Sequence, residues 1–456
     1  MDLKRRKMLY YFFALIFLVC GAYLIISTQG LVIDWNKLQL VKTGGIYLKF
    51  IPSDASVFVD GKQVDESPGI LNRGILIDDL VPRKYHVAVR KEGMPQWEKD
   101  FIVTSGTITP ASAIRLWNGT IPYERIATAT IPYFFSAGNT IITKNDKGNL
   151  VSSEKELRGS TIFAGRSDSK WIVTQTANDQ LFFVDAENPE SAVNLQEIFN
   201  SLKIRQLELP GIVKIKNALI HPFSEEKVIV ATEQSLYTVD MKKIMIEKLT
   251  TSTTTIDFLI ARGGSVFGIS KNGNVQGSNL ILKNEFNFSI GTTTITEVAM
   301  DDSGSRIAFK DADTSLFLYE RGMDSPVKIG AMVKTFSLSS DGKKVVWING
   351  NRKTFVYYIE KDDGDLKLPE GSITQLSVPA AYIQKDTKVF WIPKFPAHAF
   401  IETNGVLVAL ETDPRGKTNT ATLIGESRNI FLDDDMRLNV IKNDGSFFSL
   451  SIAEIK

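Results

Sequence analysis

Apolar and polar residues alternate along much of the chain after residue 44, and this period of two predicts strands rather than helices. The segment IYLKFIPSDASVFVDGKQV alternates in this way and turns at Asp60-Gly61, a pair typical of hairpins. KYHVAVRKEGMPQWEKDFIV adds an alternating strand, a turn at Gly93 and a further strand. We therefore expect residues 44–117 to form a small β-sandwich of roughly five to seven strands.

A unit made of a polar turn followed by an apolar strand recurs over the rest of the chain. SSDGKKVVWI begins at Ser339, and a close relative, DDSGSRIAF, lies within Val298–Glu320. Weaker copies bring the total to eight, and the better-spaced copies recur at about 40 residues, a period typical of propeller blades. Two longer intervals, 188–211 and 363–382, predict loops or short helices inserted between strands.

Burial explains why such repeats should close into a ring. Each copy supplies a small meander whose faces cannot be buried alone, whereas neighbouring sheets packed around an axis bury them. We therefore expect an all-β fold in which residues 122–456 form a β-propeller of seven or eight blades, with eight favoured. An array of β-sandwiches is the alternative interpretation.

The first residues combine a basic cluster with a long apolar run. Residues 4–7 are Lys-Arg-Arg-Lys, and an uncharged apolar stretch follows from Met8 to Ile26. At about 1.5 Å per residue, such a helix nearly spans the ~30 Å hydrocarbon core of a bilayer. The flanking charge predicts a cytoplasmic N-terminus. We therefore expect a cytoplasmic tail (1–7), a transmembrane helix (8–26) and a linker (27–43) in a single-pass protein of the cell membrane.

A cleaved signal peptide is the alternative interpretation, because its basic and apolar regions look similar. The apolar run continues past Gly21-Ala22, the small-residue pair suited to cleavage, and this favours an uncleaved anchor. Cys20 follows Val19, where a lipoprotein site needs a small residue, so we expect an apolar side chain buried in the membrane helix. The remaining domains are then extracytoplasmic, and the protein acts outside the membrane.

Charge and composition disfavour several classes of function. Lys and Arg number 53 against 52 Asp and Glu, so the chain lacks the basic surface of a nucleic-acid binder. A single cysteine excludes an internal disulfide framework and a multi-cysteine metal site. His86, His221 and His398 are far apart in the sequence, which disfavours a histidine cluster, and His86 is expected to be a structural strand residue.

The sequence offers no motif that carries chemistry. Acidic clusters lie in predicted turns and lack the ligand spacing of a calcium loop: Asp301-Asp302, Asp362-Asp363-Gly364-Asp365 and Asp433-Asp434-Asp435. No Gly-x-Ser-x-Gly motif follows the propeller. Trp171 and Trp347 fall on strands after the repeat turn and are expected in the core. We therefore assign no catalytic, cofactor-binding or metal-binding residues.

The sandwich region resembles the PEGA family. IPSDASVFVDGK, Ser67-Pro68 and LVPRKYHVAVRKEGM follow the family's order of a proline-led turn, a Val-Asp-Gly-Lys strand end, a Ser/Thr-Pro and a His strand. Arg83-Lys84 stands where a Gly usually precedes the His strand, and Met94 replaces an aromatic residue. The resemblance implies a module of bacterial or archaeal envelope and surface proteins without catalytic residues.

The repeats resemble the WD40-like propellers of the TolB type, in which SPDGKKIAF is the recurrent phrase. SSDGKKVVW and DDSGSRIAF match it well, and the other copies are degenerate. The GH…WD signature of true WD40 blades is missing. The resemblance implies that the phrase is a folding element and not a catalytic motif.

Two functions from different classes follow. The first is a membrane-anchored binding or scaffolding protein whose propeller docks an envelope protein or polysaccharide, with the long segments 188–211 and 363–382 as the candidate interface. The second is a propeller enzyme acting on envelope glycans or peptides, which convergent carboxylates with perturbed pKa values would favour. The absence of a catalytic motif favours the first. A signalling receptor, a third class, is disfavoured by the short expected cytoplasmic tail.

Overall fold

A computed structural model describes residues 3–28, 30–34, 39–64, 74–118, 125–128, 134–138, 140–145, 147–152, 155–166, 168–291, 294–362, 364–392, 395–432, 437–444 and 446–451.

The N-terminal segment is helical. Helix α1 (Leu3–Thr28) precedes a hairpin of β1 (Leu31–Asp34) and β2 (Gln39–Lys42). The apolar side chains from Met8 to Val19 are exposed along α1. Over the residues described, no helix meets the length and hydropathy of a membrane span.

The sandwich module, residues 44–117, consists of two sheets packed face to face. The first sheet has the order β6–β3–β9, with β3 parallel to β9, and is built from β3 (Gly44–Ile51), β6 (Gly74–Leu80) and β9 (Ile108–Arg115). The second has the order β5–β4–β7–β8 and is built from β4 (Ser56–Val59), β5 (Lys62–Gln63), β7 (Lys84–Arg90) and β8 (Trp97–Ile102). Alternate residues such as Ile46, Leu48, Val87 and Val89 face inward and form its core. Ser67-Pro68 of the family motif lies outside the described residues.

Eight sheets of four antiparallel strands follow among the described residues, here numbered I to VIII along the chain. β10 (Arg125–Thr128) belongs to the last of them, sheet VIII. Sheet I comprises β11 (Phe134–Ala137), β12 (Thr140–Lys144), β13 (Leu150–Ser152) and β14 (Lys155–Glu156); sheet II comprises β15 (Thr161–Gly165), β16 (Trp171–Gln175), β17 (Leu181–Asp185) and β18 (Val193–Asn194). Sheet III comprises β19 (Asn217–Ile220), β20 (Lys227–Ala231), β21 (Ser235–Asp240) and β22 (Met245–Thr251); sheet IV comprises β23 (Phe258–Arg262), β24 (Ser265–Ile269), β25 (Asn274–Asn279) and β26 (Glu285–Ser289).

The second half of the chain repeats this architecture. Sheet V comprises β27 (Ile295–Met300), β28 (Arg306–Asp311), β29 (Leu316–Glu320) and β30 (Val327–Gly330); sheet VI comprises β31 (Val333–Leu338), β32 (Lys344–Asn349), β33 (Thr354–Tyr358) and β34 (Ile373–Leu376). Sheet VII comprises β35 (Lys388–Trp391), β36 (His398–Thr403), β37 (Val406–Glu411) and β38 (Thr420–Ile424). Sheet VIII joins β39 (Ser427–Leu432), β40 (Arg437–Lys442) and β41 (Ser446–Ser451) to β10, which pairs with β41. Both ends of the repeat region therefore share one sheet.

The core of this region is divided among the interfaces between consecutive sheets. Alternate residues of β32 show why the repeat strand is a continuous apolar run: Val345 and Trp347 pack toward sheet V, whereas Val346 and Ile348 pack toward sheet VII. A strand buried on both faces cannot alternate apolar with polar residues. Face-to-face packing of successive four-stranded sheets, joined through a shared last sheet, is the architecture of a β-propeller, which confirms that part of the predicted fold.

The repeated turn also connects neighbouring sheets. In sheet VI, the Ser339 hydroxyl accepts a hydrogen bond from the Lys344 N–H (2.9 Å), and the Lys344 ammonium donates to the Pro396 carbonyl of sheet VII (3.0 Å). In sheet V, the Arg306 guanidinium donates to the Gly342 carbonyl of sheet VI (3.0 Å). The basic residue after the turn thus holds the next sheet, which explains its recurrence in the sequence.

The sandwich module docks on sheets VI and VII through a buried polar contact. The Lys99 side chain is fully buried, and its Nζ lies 3.3 Å from Glu411 Oε2, while Trp97 Nε1 donates to Glu411 Oε1 (3.0 Å). Around this contact, the Glu98 backbone exchanges two 3.1 Å hydrogen bonds with the Asn419 amide. Trp117 packs edge-on against Phe400 of sheet VII. Hence the module and the propeller share a specific interface.

Because the strands of each sheet run antiparallel, the turns between first and second and between third and fourth strands share one end of the propeller. The module contacts Glu411, the last residue of the third strand of sheet VII, and Asn419 and Asp365, which lie in the third-to-fourth connections of sheets VII and VI. We call this the docking end. The module covers it at sheets VI and VII.

Candidate binding cleft

An open cleft of about 470 Å³ lies between sheets II and III on the docking end. One wall is the first turn of sheet II with the start of β16, and the other is the first turn of sheet III. Its lining mixes an apolar surface with charges of both signs: Trp171, Pro222, Phe223, Ser224, Arg166, Lys170, Glu225 and Glu226. The cleft therefore offers both an apolar contact and hydrogen-bonding groups to a ligand.

Trp171 occupies a repeat position that holds a cation in sheets III and V and an uncharged side chain in sheet IV. Strand register aligns it with Lys227 of sheet III and Arg306 of sheet V, since the three residues pair with Asp185, Asp240 and Glu320, respectively. The Trp171 indole stacks on Phe183 with 4.6 Å between ring centroids and 4° between ring planes. Phe183 therefore fixes the orientation of an indole that is half-buried at the cleft.

Other cations of sheet II take over the structural contacts. The Arg166 guanidinium donates to the His221 carbonyl of sheet III (2.7 Å), as Arg306 does toward sheet VI. Lys170 Nζ lies 2.9 Å from Asp185 Oδ2, and this hydrogen bond raises the pKa of Lys170, which therefore stays charged at neutral pH. The link between the sheets persists without a cation at residue 171.

The opposite wall presents Phe223 on a turn held by a neutral histidine. His221 Nδ1 lies 3.2 Å from the Phe223 backbone N–H and accepts its hydrogen bond. Burial, with Lys227 and Arg166 nearby, lowers the pKa of His221 to about 4, which keeps Nδ1 free of a proton at neutral pH. The Phe223 side chain is 59% exposed. Exposed Ile281 of sheet IV lies beside it over Gly264, which extends the apolar surface beyond the cleft.

The equivalent cleft between sheets V and VI is polar throughout. It measures about 490 Å³ and is lined by Asp301, Asp302, Ser303, Ser305, Arg306, Ser340, Asp341 and Glu360. Arg306 holds the position of Trp171 and pairs with Glu320 (3.1 Å) and Glu360 (2.8 Å). The two clefts thus lie at equivalent positions of the repeat but differ in chemistry. Of the two, the cleft between sheets II and III is the one that offers an apolar contact.

The structure places the predicted tryptophans and histidines apart. Trp347 is buried between sheets V and VI as expected, whereas Trp171 borders the cleft, so its assignment to the core was only partly right. His86 lies exposed on β7 with Nδ1 2.9 Å from Asp100 Oδ1, His221 lies at the cleft, and His398 is buried beside Trp117 at the module junction. The sequence signal that was missed is an aromatic residue, Trp171, at the strand position that Lys227 and Arg306 hold in sheets III and V.

The acidic clusters serve turns and the module junction. Asp301 accepts the Arg306 backbone N–H (2.8 Å), Asp362 accepts that of Leu366 (2.9 Å), and Asp365 accepts the Ser112 hydroxyl (2.8 Å). Asp363 and Asp433-Asp434-Asp435 lie outside the described residues. Across the described part of the chain, no three His, Cys, Asp or Glu side chains converge as a metal site. Burial raises the pKa of Glu411, but this carboxyl lies at the junction beside Lys99.

The two long segments, predicted as loops or short helices and as the candidate interface, contribute secondary structure and buried contacts to the fold. Segment 188–211 contains a 3₁₀ turn (Pro189–Ser191), β18 and helix α2 (Leu195–Leu207), whose N-terminus is capped by the Asn194 side chain. Its buried residues join the core between sheets II and III. Segment 363–382 supplies β34, a 3₁₀ turn (Ala380–Tyr382) and the Asp365 contact with the module.

Removing the packing of α2 should therefore destabilise the propeller. Phe199 is fully buried and meets Tyr237 edge-on with ring centroids 5.2 Å apart. We expect Phe199→Ala to lower the free energy of unfolding by about 3–5 kcal/mol, measured by urea denaturation. Ile204→Ala, at an exposed position of the same helix, should change it by less than about 1 kcal/mol. Equal effects would show that α2 is not part of the core.

Two histidines, His398 buried and His221 partly buried, should make the protein sensitive to acid. Burial lowers the pKa of His221 to about 4 and that of His398 to about 3, from 6.5 in an exposed histidine. Between pH 6.5 and 4 the unfolded chain binds these protons and the folded chain does not. Stability should fall on acidification by ~1.4 kcal/mol per pH unit for each histidine. Urea denaturation of His398→Gln across this range should give a shallower slope than wild type, and an unchanged slope would contradict the assignment.

Comparison with known proteins finds distant similarity to solved structures, three of which are described here. No protein-family model and no curated protein matches the sequence. The β-propeller domain of Cps50 (Swd1) from Myceliophteria thermophila is 12% identical with a TM-score of 0.37, and the match covers 67% of this chain and 100% of that domain. Hsv2 from Kluyvelomyces marxianus is 12% identical (TM-score 0.40; 63% of this chain, 92% of that chain), and Hsv2p from Kluyveromyces lactis is 14% identical (0.39; 63% and 93%). Similarity this distant indicates no function.

Proposed function

We propose that the protein is a membrane-anchored, non-catalytic binding protein whose propeller docks an envelope protein or polymer outside the membrane. The observation that carries the proposal is the cleft between sheets II and III, where Trp171 stands at the position of Lys227 in sheet III and Arg306 in sheet V. A half-buried aromatic ring with polar groups at its edge is typical of binding sites. The cleft between sheets II and III lies on the docking end, away from sheets VI and VII, which the module covers.

The anchor is proposed from the sequence. The stretch Met8–Ile26 falls within α1, its described apolar side chains lack protein cover, and residues 4–7 supply the cytoplasmic basic flank. In this proposal the N-terminus is cytoplasmic and the other domains are extracytoplasmic. A PEGA-like sandwich holds the propeller off the membrane, and sheets I–VIII act as eight blades of one ring closed by β10 and β41.

A binding role has more support than catalysis of glycan or peptide cleavage. The raised pKa of Glu411 arises at the module junction, where Lys99, Trp97 and Asn419 hold the carboxyl in a structural contact. The cleft offers Trp171 and ion-paired cations instead of an activated nucleophile.

Fractionation and crosslinking test the two parts of the proposal separately. The full-length chain should stay in the membrane after alkaline carbonate washing, and release into the supernatant would remove the anchor. In crosslinking pull-downs from intact cells, Trp171→Lys, which restores the repeat's cation, should reduce recovery of the crosslinked partner at least fivefold. Ser340→Lys, which adds the same charge to the cleft between sheets V and VI, is the matched control. Equal recovery from both variants would contradict binding at this cleft.

A further inference from the structure

We infer that the cleft between sheets II and III takes a neutral carbohydrate, with one sugar ring stacked on the Trp171 indole. This inference rests on the proposed binding function and names the chemistry of the ligand. Three features of the cleft carry it: a pre-oriented aromatic ring, balanced lining charges whose cations are already engaged, and a volume suited to a small ligand.

The indole supplies the apolar contact that a sugar ring requires. A pyranose presents a flat face of C–H groups, which a large aromatic ring covers better than an aliphatic side chain does. Parallel stacking on Phe183 holds the Trp171 ring in place before a ligand arrives. A ring that is already ordered loses little conformational entropy on binding, so its contact contributes more to affinity.

The charges around the indole favour a neutral ligand. Arg166 and Lys170 line the cleft together with Glu225 and Glu226, so a ligand of either charge would meet a like charge. The cations are also engaged, Arg166 with the His221 carbonyl and Lys170 with Asp185. Sugar hydroxyls both donate and accept hydrogen bonds, so they can satisfy carboxylates and cations without a net charge.

The size and the neighbouring surface fit a short stretch of a glycan. The volume of about 470 Å³ falls within the range of small-molecule sites. Phe223 and Ile281 continue the apolar surface away from Trp171 toward sheet IV. Further sugar rings of a chain can extend over this surface, whereas the residues that line the cleft between sheets V and VI are polar.

Calorimetric titration of the purified full-length chain in detergent tests the inference. The neutral probes are chitohexaose, cellohexaose and maltohexaose, and the charged probes are polygalacturonate and a chitosan hexamer. We expect at least one neutral oligosaccharide to bind, Trp171→Ala to weaken that binding at least tenfold, Trp171→Phe to weaken it less, and Ser340→Lys to leave it unchanged.

Several results would overturn the inference. It fails if no neutral oligosaccharide binds, if only a charged probe binds, or if Trp171→Ala binds as wild type does. Trp171-dependent recovery of a protein in the crosslinking experiment, without oligosaccharide binding, would retain the proposed binding function and reject the carbohydrate. If neither oligosaccharide binding nor recovery of the crosslinked partner depends on Trp171, the cleft is not the binding site.

Discussion

Lys99→Met should lower the free energy of unfolding by about 3–5 kcal/mol, because it leaves the Glu411 carboxylate buried without its counter-charge. The variant should also respond to pH differently from wild type. Burial already raises the pKa of Glu411, and loss of Lys99 removes an interaction that lowers it. A folded-state pKa above the unfolded value gives stability that is present at low pH and is lost as pH rises through the folded value. The destabilisation should therefore shrink on acidification, measured by urea denaturation.

Two controls separate this buried pair from ordinary surface charge. Lys417→Met removes the exposed ion pair with Glu98 (3.0 Å) at the rim of the same interface and should cost less than about 1 kcal/mol. Lys99→Met combined with Glu411→Met should recover part of the lost stability, because it removes the Glu411 carboxylate that the single variant leaves without a counter-charge. A Lys99 variant as stable as the Lys417 variant would contradict the importance of the junction.

Deleting the chain from Asn429 onward should abolish the cooperative unfolding transition of the propeller. The deletion removes most of β39 and all of β40 and β41, so β10 loses its partner and sheet VII loses its neighbour. The apolar residues that pack between sheets VII and VIII, including Phe400 and Leu407, then become exposed. Thermal unfolding and limited proteolysis should show damage to the whole propeller and not to its last sheet alone.

Complementation provides the control for this truncation. A peptide of residues 427–451, added in trans, should restore part of the transition by pairing again with β10. If the truncated protein melts as sharply and at the same temperature as the intact one, the two ends of the repeat region do not close a ring.

The repeats were predictable because their signal is local. Each of the eight repeat segments coincides with one four-stranded sheet, since every copy contains its own turn and two-sided buried strands. The fourth strand β14 escaped notice because it consists of two exposed residues, Lys155 and Glu156. α2 was covered only by the expectation of loops or short helices in that interval. The sequence could not predict the module junction, because Trp97 and Glu411 are separated by 314 positions.

The candidate site required both kinds of information. The cleft forms from turns of two sheets, so Arg166 and His221 meet only when sheets II and III pack together. The length of segments 188–211 and 363–382 made them the candidate interface in the sequence. In the structure, Phe199 of α2 packs between sheets II and III, and Asp365 contacts the module. An aromatic residue in place of a repeated cation was the more informative signal, and it becomes visible once strand register aligns Trp171 with Arg306.

Site-specific photocrosslinking tests most directly the central claim, that the docking end beside the cleft is the binding surface. A photoreactive amino acid would replace either Phe223, exposed at the cleft, or Asn351, exposed in a turn at the opposite end of the propeller. Irradiation of cells carrying the full-length protein should give a crosslinked product from position 223, lost in Trp171→Lys, and none from position 351. A product from position 351 alone, or one from position 223 that persists in Trp171→Lys, would contradict the account.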